Sequence, residues 1–372
     1  MRFTVSTTAL QKNLQVISGA IGNNRTMPIS EDFIFSISDG QLTITATDFE
    51  TSMSVLMDVM ADDDGHVAIP AKMLLETLKS LPDQPLTFKV NPDTHAVEIL
   101  SQNGKYKLAG EDATDFLNLM AIGEAESFSI SSTALSRAMQ YTIFAVGTDE
   151  LRPAMTGVYF HTEGDNLLFV ATDAQKLVRY QQEGNPVGDV SFIIPKKAMG
   201  LLKSALPAGE ALVNVAYNRI NAFFEVNGIQ LICRLLDARF PDYRAVIPRD
   251  NPNKLVINRN DLASSLKRLS IFANKNNYQV VLDLGVENEI TLSTQDLDHS
   301  NEAAERLDCQ YEGDKMQIAF NARYLSEMLS VVETDEIAME MSMPNRAGII
   351  TPSEQPEGSS VLMLIMPLML YN

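Results

Sequence analysis

The four histidines, His66, His95, His161 and His299, are the first residues to ask for chemistry, and their spacing excludes most of it. No two stand four apart around a glutamate, the arrangement that puts both imidazoles on one helix face for zinc. Cys233 and Cys309 form no C-x-x-C pair. They suit a reducing compartment better than a disulfide framework. The sequence has no P-loop, no G-x-G-x-x-G and no G-x-S-x-G elbow, so nothing cradles a phosphate or raises a nucleophilic serine. Two acidic stretches remain. "DLDHS" at Asp296–Ser300 could hold a cation, but it ends an alternating strand pattern and reads as a polar turn. "DDDG" at Asp62–Gly65 is half a calcium loop without the later ligands, and a hairpin turn is expected there. "ATD" occurs at 46–48 and again at 171–173. An enzyme built on Asp173 would need a nucleophile, a metal set or a phosphate cradle beside it, and none is present. No catalytic residue, metal or cofactor is expected.

The remaining chemistry is electrostatic. The 372 residues carry a net charge of −19, which on its face argues against nucleic acid and anionic membrane as partners. The charge is unevenly placed. Six windows with helical apolar spacing (7–21, 70–81, 132–146, 195–206, 259–275 and 321–332) hold twelve basic residues and three acidic ones. The rest of the chain holds 17 basic and 45 acidic residues. Lys72 and Lys79, Lys196 and Lys203, and Arg268 and Lys275 are each seven apart, so each pair shares a helix face. Solvated helix faces commonly carry such residues. The sharper reading is six helices turning basic faces toward one polyanion, with acidic strands outside. Such a surface holds phosphates without reading sequence, through counterion release.

Those windows recur in a fixed order. "FTVSTTALQKNLQVISGAI" from Phe3, "FSISSTALSRAMQYTIFAV" from Phe128 and "LVINRNDLASSLKRLSIFA" from Leu255 each read as a strand, a capping residue and a helix. "LTITATDFE", "LLFVATDAQ" and "ITLSTQDLD" are strands ending in a turn-forming Asp. "VAIPAKMLLETLKSL", "FIIPKKAMGLLKSAL" and "QIAFNARYLSEMLSVV" lead strands into helices. Pro70 and Pro195 fall where a first-turn proline is tolerated. A closing block, "KYKLAGEDATDF", "IQLICRLLDARFPDY" and "VLMLIMPLML", completes each unit. Four blocks, three times in one order, imply three tandem copies of an α+β domain, at 1–124, 125–252 and 253–372. Each copy is two strand–helix–strands halves.

The apolar ending, Val361–Tyr371, is too short to span a bilayer, which takes roughly 20 residues. The N-terminus has no apolar signal region. A cytoplasmic protein with no membrane partner is expected. The ending should be the last strand of the third copy up to Pro367, which cannot donate to a ladder, and a docking surface beyond it.

The three copies, the basic helices within an acidic chain, "ATDAQKL", "FPDYRAVIP" and the ending "MPLML" together resemble the bacterial DNA polymerase III β-subunit family, the sliding clamps. The resemblance covers residues 1–372. It implies a non-catalytic processivity factor: a head-to-tail homodimer closing a ring of six domains, helices inside and sheets outside, around duplex DNA. It implies partners in the polymerase III α subunit, an ATP-driven clamp loader, repair polymerases, ligase, mismatch-repair proteins and initiation regulators. The family's peptide pocket carries over to Met155, to Thr172, Ala174, Gln175, Lys176 and Leu177, and to Pro241 and Val246. Tyr324 joins them as a neighbour, and the tail supplies Leu364, Met366, Pro367, Leu368, Met369 and Leu370. DNA-facing candidates are Arg25, Lys12, Lys72, Lys79, Arg137, Lys196, Lys197, Lys203, Lys267 and Arg268. The loop "GTDEL" at Gly147–Leu151 offers acids and is left out of that set. Tyr106 and Leu108 are expected to meet Ile271 and Phe272 across the dimer interface. The chain departs from the family at Ala174-Gln175-Lys176-Leu177, where Gly-His-Arg-Leu is common. Ala245 and Met369 also stand where arginines are usual. These departures make the expected pocket less basic and more apolar.

Overall fold

The computed structural model describes residues 1–22, 27–116, 123–184, 188–286 and 288–370. The first copy runs β1 (Arg2–Ser6), α1 (Thr7–Ile17), β2 (Asp32–Ser38), β3 (Gln41–Thr47), β4 (Thr51–Asp58), β5 (Met60–Asp63), β6 (Gly65–Pro70), α2 (Ala71–Ser80), β7 (Pro85–Val90), β8 (Val97–Leu100) and β9 (Lys105–Leu108). The second runs β10 (Glu126–Ser131), α3 (Ser132–Thr142), β11 (Gly157–Glu163), β12 (Asn166–Thr172), β13 (Lys176–Gln182), β14 (Ser191–Pro195), α4 (Lys196–Ala205), β15 (Leu212–Tyr217), β16 (Asn221–Val226) and β17 (Ile229–Arg234). The third runs β18 (Asn253–Asn258), α5 (Arg259–Phe272), β19 (Gln279–Val286), β20 (Glu289–Asp296), β21 (Asn301–Glu312), β22 (Met316–Asn321), α6 (Ala322–Val331), β23 (Glu336–Met341), β24 (Gly348–Pro352) and β25 (Ser359–Ile365).

Local chemistry explains why strands turn directly into helices. Ser6 accepts from the Ala9 N–H, Ser131 from Ala134, Asn258 from Asn260 and Asp261, and Asn321 from Arg323. Each satisfies N–H groups that the first helical turn leaves without partners. Pro70 and Pro195 behave differently from the expectation. They end β6 and β14, opposite Asp32 and Gly157, instead of opening the helix. Both strands are sheet edges, where a missing N–H costs little. The "DDDG" stretch is not a hairpin. β5 pairs with β1 and β6 with β2, so this segment carries the chain from one sheet to another. Lys275 also lies beyond α5. Its ammonium donates to the carbonyls of Ser270 and Ile271 and caps the helix end.

By its contacts the chain forms two compact units. The first is Met1–Ser136 with Lys197–Leu235. It holds a sheet of order β5-β1-β7-β8-β9 and another of order β10-β15-β16-β17-β4-β3-β2-β6. α1 packs on α2 and on β1, β3 and β4. Leu10, Leu14 and Ile17 are fully buried on that face, and Phe3 stacks on Phe88 at 4.8 Å. Each such side chain contributes roughly 1.5–3 kcal/mol of burial. The second unit is Arg137–Lys196 with Leu236–Asn372. It holds one twelve-stranded antiparallel sheet, β14-β11-β12-β13-β25-β24-β23-β18-β21-β20-β19-β22. α5 packs on α6 and on β19, β20 and β21.

The units cut across the repeat because sheets run from copy to copy. β17 adds to β4, with Ile229 opposite Val55 and Cys233 opposite Thr51. β25 adds to β13 in the same way. Each time, the last strand of one copy extends the fourth strand of the copy before it. Applied to the ends of the chain, the rule leaves two strand flanks unpaired among the described residues. β9 pairs only with β8. The Asn301–Asp308 part of β21 pairs with β20, and β18 takes only Cys309–Glu312.

Asp32, at the start of β2, is buried beside Glu31 and Glu111. Burial first, then the repulsion of Glu111 and Glu31, pushes its carboxyl from 3.8 up to about 6. The folded state therefore holds this proton more tightly than the unfolded chain. Its contribution is fully present below pH 4 and is lost as pH rises through 6. Asp32→Asn is expected to stabilise the protein by about 1–2 kcal/mol at pH 7 and to leave it unchanged near pH 4. Thermal melts across that range check this, and an equal effect at both pH values would refute it.

Candidate functional site

The second unit brings together most of the residues singled out for docking. The turn between β12 and β13 is knotted by its own side chains. Thr172 Oγ1 donates to the Lys176 carbonyl at 2.8 Å and accepts from the Ala174 N–H at 3.1 Å. Asp173 Oδ1 accepts from the N–H groups of Gln175 and Lys176 at 2.9 and 2.8 Å. The first copy repeats this around Thr47 and Asp48, which accept from Phe49, Glu50 and Thr51. The repeated acids fix turns. Ala174 takes φ +76°, a left-handed conformation that costs a side-chain-bearing residue about 1 kcal/mol. Glycine, common there in the resembling family, avoids that cost.

Lys176 does not reach out of this turn. Its side chain is 6% exposed, with the ammonium 3.0 Å from Asp173 and 2.8 Å from Glu327. It also lies 4.3 Å from the centre of the Tyr324 ring. Burial pulls its pKa down, and hydrogen bonds to Glu327 and Asp173 more than reverse this, so it stays charged.

The "FPDYR" stretch is anchored from beneath. Phe240 and Tyr243 are buried with Val170, Leu177, Ile193 and Leu364. Tyr159 stacks on Phe240 and on His161, each at 4.8 Å, and His161 Nε2 is 2.9 Å from the Tyr243 hydroxyl. Burial pulls the His161 imidazole below its usual value, which favours the neutral ring here. Leu177 and Leu364 are therefore floor residues inside the core. Pro241 and Val246 remain on the exposed side of the same segment.

β25 ends at Ile365, and the Met366 N–H donates to the Gln175 carbonyl at 2.8 Å. Beyond Pro367 the tail is not free. Leu368 forms a bridge to Ala319 of β22, its N–H 2.7 Å from that carbonyl. Met366 is 38% exposed and Met369 70%, while Leu368 and Leu370 are half-buried. Leu370 borders a second, separate concavity on the β19–β22 face.

Beside the 172–176 turn opens a cleft of about 250 Å³. Met155, Gln175 and Tyr324, three of the residues carried over from the resemblance, line it. Gly147, Thr148, Asp149, Arg152 and Asp173 line it too. The acids of the 147–151 loop argue against a DNA contact, but they say nothing against a place in this cleft. The signal in the sequence is proximity: Arg152 and Met155 follow immediately in the chain. Asp149 accepts from Arg152 Nε at 2.8 Å and closes the loop.

The basic candidates divide into free and engaged. Among the described residues, Lys12, Lys72, Lys79 and Lys203 of the first unit are exposed and have no ion-pair partner. The same holds for Arg137, Lys196 and Lys267 of the second. Lys197 is held by Asp48 at 2.5 Å. Arg268 is held by both oxygens of Glu305, at 2.7 and 2.5 Å, so its charge is already answered. Arg25 lies outside the described residues. Tyr106 is half-buried and Leu108 buried, whereas Ile271 and Phe272 are 67% and 41% exposed. Among the described residues no cluster of His, Cys, Asp or Glu could hold a metal, and no helix is long and apolar enough to cross a membrane.

Three family descriptions match the chain in order: the N-terminal domain of the DNA polymerase III β subunit over residues 1–120, its central domain over 129–242, and its C-terminal domain over 244–368. The chain is 27% identical to the β sliding clamp of Vibrio cholerae, with all of both chains covered. The crystal structure of the DNA polymerase sliding clamp from Bacillus subtilis superposes with a TM-score of 0.94 at 25% identity, again over both full chains. A sliding clamp from Bartonella birtlesii, solved bound to griselimycin, superposes with a TM-score of 0.93 at 26% identity and full coverage of both chains. The chain belongs to the DNA polymerase III β-subunit family, the β sliding clamps.

Proposed function

We propose that this chain is a non-catalytic processivity clamp that closes around duplex DNA as a head-to-tail dimer and tethers the replicative polymerase through the cleft at Met155, Gln175 and Tyr324. The observation that carries the assembly is the pairing rule between copies. Twice within the chain the last strand of a copy extends the fourth strand of the preceding one. Among the described residues, β9 and the Asn301–Asp308 part of β21 are the two flanks that the rule leaves over, and they are a last strand and a fourth strand. An unpaired edge invites pairing with another chain. β9 brings Lys107, and β21 brings Glu302 and Asp308. Ile271 and Phe272 supply apolar surface for the same contact. The clamp loader, repair polymerases, ligase, mismatch-repair proteins and initiation regulators are proposed users of the same cleft.

Three measurements test this reading. Ile271→Glu with Phe272→Glu is expected to convert the dimer to a monomer in sedimentation, and an unchanged dimer would refute the interface. Lys72→Ala, Lys79→Ala and Lys203→Ala together are expected to weaken binding to duplex DNA uniformly across sequences. Each phosphate that is no longer neutralised makes the slope of log affinity against log salt shallower by roughly 0.9. An unchanged slope would remove these helices from the DNA path. Met366→Ala with Met369→Ala should cut affinity for a polymerase docking peptide about tenfold or more by titration. Both side chains are exposed, so the melting temperature should hardly move. Wild-type affinity would mean that the tail does not dock partners.

A further inference from the structure

The charge balance of the cleft supports a conclusion that rests on the peptide-docking reading above. Asp149, Asp173 and Glu327 place three carboxylates in or beside it, against two cations, Arg152 and Lys176. Arg152 is tied to Asp149 at 2.8 Å. Lys176 is buried between Asp173 and Glu327 with the Tyr324 ring against its ammonium. Tyr324 and Glu327 are three apart on α6 and so share a face. Tyr324 lines the cleft, and the Glu327 carboxylate, 45% exposed, holds the ammonium that lies against the Tyr324 ring.

Lys176 is not available to a newcomer, and Arg152, 48% exposed, already shares its Nε with Asp149. An arriving carboxylate would have to share Arg152 with Asp149, and it would meet the excess negative charge of Asp149, Asp173 and Glu327. An ammonium or guanidinium would instead find partly exposed carboxylates at Glu327 and Asp149. A neutral residue would meet no penalty of either kind. We propose that this cleft selects docking peptides with a neutral or basic residue beside their apolar anchors and rejects an acidic one there, with Lys176 and Glu327 as the specificity-determining pair. Lys176 acts by being withheld, and Glu327 acts by holding it and by presenting charge.

The test uses the full-length protein and three short fluorescein-labelled peptides. They share Leu and Phe anchors and differ at one intervening position: Asp, Asn or Lys. By fluorescence anisotropy at low salt, the Lys and Asn peptides should bind roughly three- to tenfold tighter than the Asp peptide, as expected for one unit charge at partly screened distance. The gap should shrink at about 0.5 M salt. In Glu327→Gln, which keeps a hydrogen-bond acceptor for Lys176, the penalty on the Asp peptide should fall by half or more. Binding of all three within twofold, or tightest binding of the Asp peptide, overturns the charge selection and leaves peptide docking standing. An undiminished penalty in Glu327→Gln overturns its assignment to this pair. If no peptide binds, the docking reading itself fails and the selection fails with it.

Discussion

The hydrogen-bond ladder between β13 and β25 runs through seven residue pairs, from Lys176 opposite Ile365 to Gln182 opposite Ser359. It joins two copies of the repeat in one sheet and sets the register of everything around the cleft. Because Lys176 and Ile365 are the last pair, the 172–176 turn and the tail leave the sheet side by side. The Met366 N–H then finds the Gln175 carbonyl with no further adjustment. The same register turns Leu177 and Leu364 inward onto Phe240 and Tyr243. A slip of one residue would turn that whole face outward, so the buried face holds the turn and the tail in place together.

Lys176 shows how the same scaffold sets electrostatics. Removing an ammonium from water costs several kcal/mol, and two carboxylates with good geometry offset this. Asp173 can serve because its other oxygen already fixes the turn, and Glu327 because α6 presents it on the face that also carries Tyr324. The result is a cation that stabilises the junction between turn and helix and contributes little positive field to the cleft. Composition alone would count Lys176 as a basic residue of the site. Its partners make it part of the wall.

The features legible in the sequence are those that act over a few residues. Alternating strands, the capping Ser6, Ser131, Asn258 and Asn321, and the Thr-Asp turns are local, so their threefold recurrence exposed the repeat and the α+β class. The pairing of β17 with β4 was not legible, because strands about 175 residues apart meet through tertiary register that no local spacing encodes. The same holds for ion pairs. Arg268 looked like a free cation on a helix face, but its carboxylate partner, Glu305, comes from β21. Lys275 matched Arg268 in spacing, but α5 stops at Phe272 and turns it into a cap. Pro367 marked the end of the last ladder to within two residues, since β25 stops at Ile365. The return of Leu368 to Ala319 depends on where β22 lies, which the tail itself does not state.

A tandem chain that joins each copy to the next by one rule cannot satisfy the rule at its ends. Three copies make two joints, and one last strand and one fourth strand are left over, as β9 and part of β21. A second chain offers the complementary flank to each. The contact is heterologous, so repeating it must either close or propagate as a filament. Closure after two chains removes every open flank of this kind, and an open filament never does. The segregated charge favours the same outcome. Lys12, Lys72, Lys79, Arg137, Lys196, Lys203 and Lys267 lie on helices, without ion-pair partners among the described residues, in a chain of net charge −19. A closed assembly with those helices around one polyanion gathers the cations where phosphates are, and leaves the acidic remainder to repel nucleic acid elsewhere.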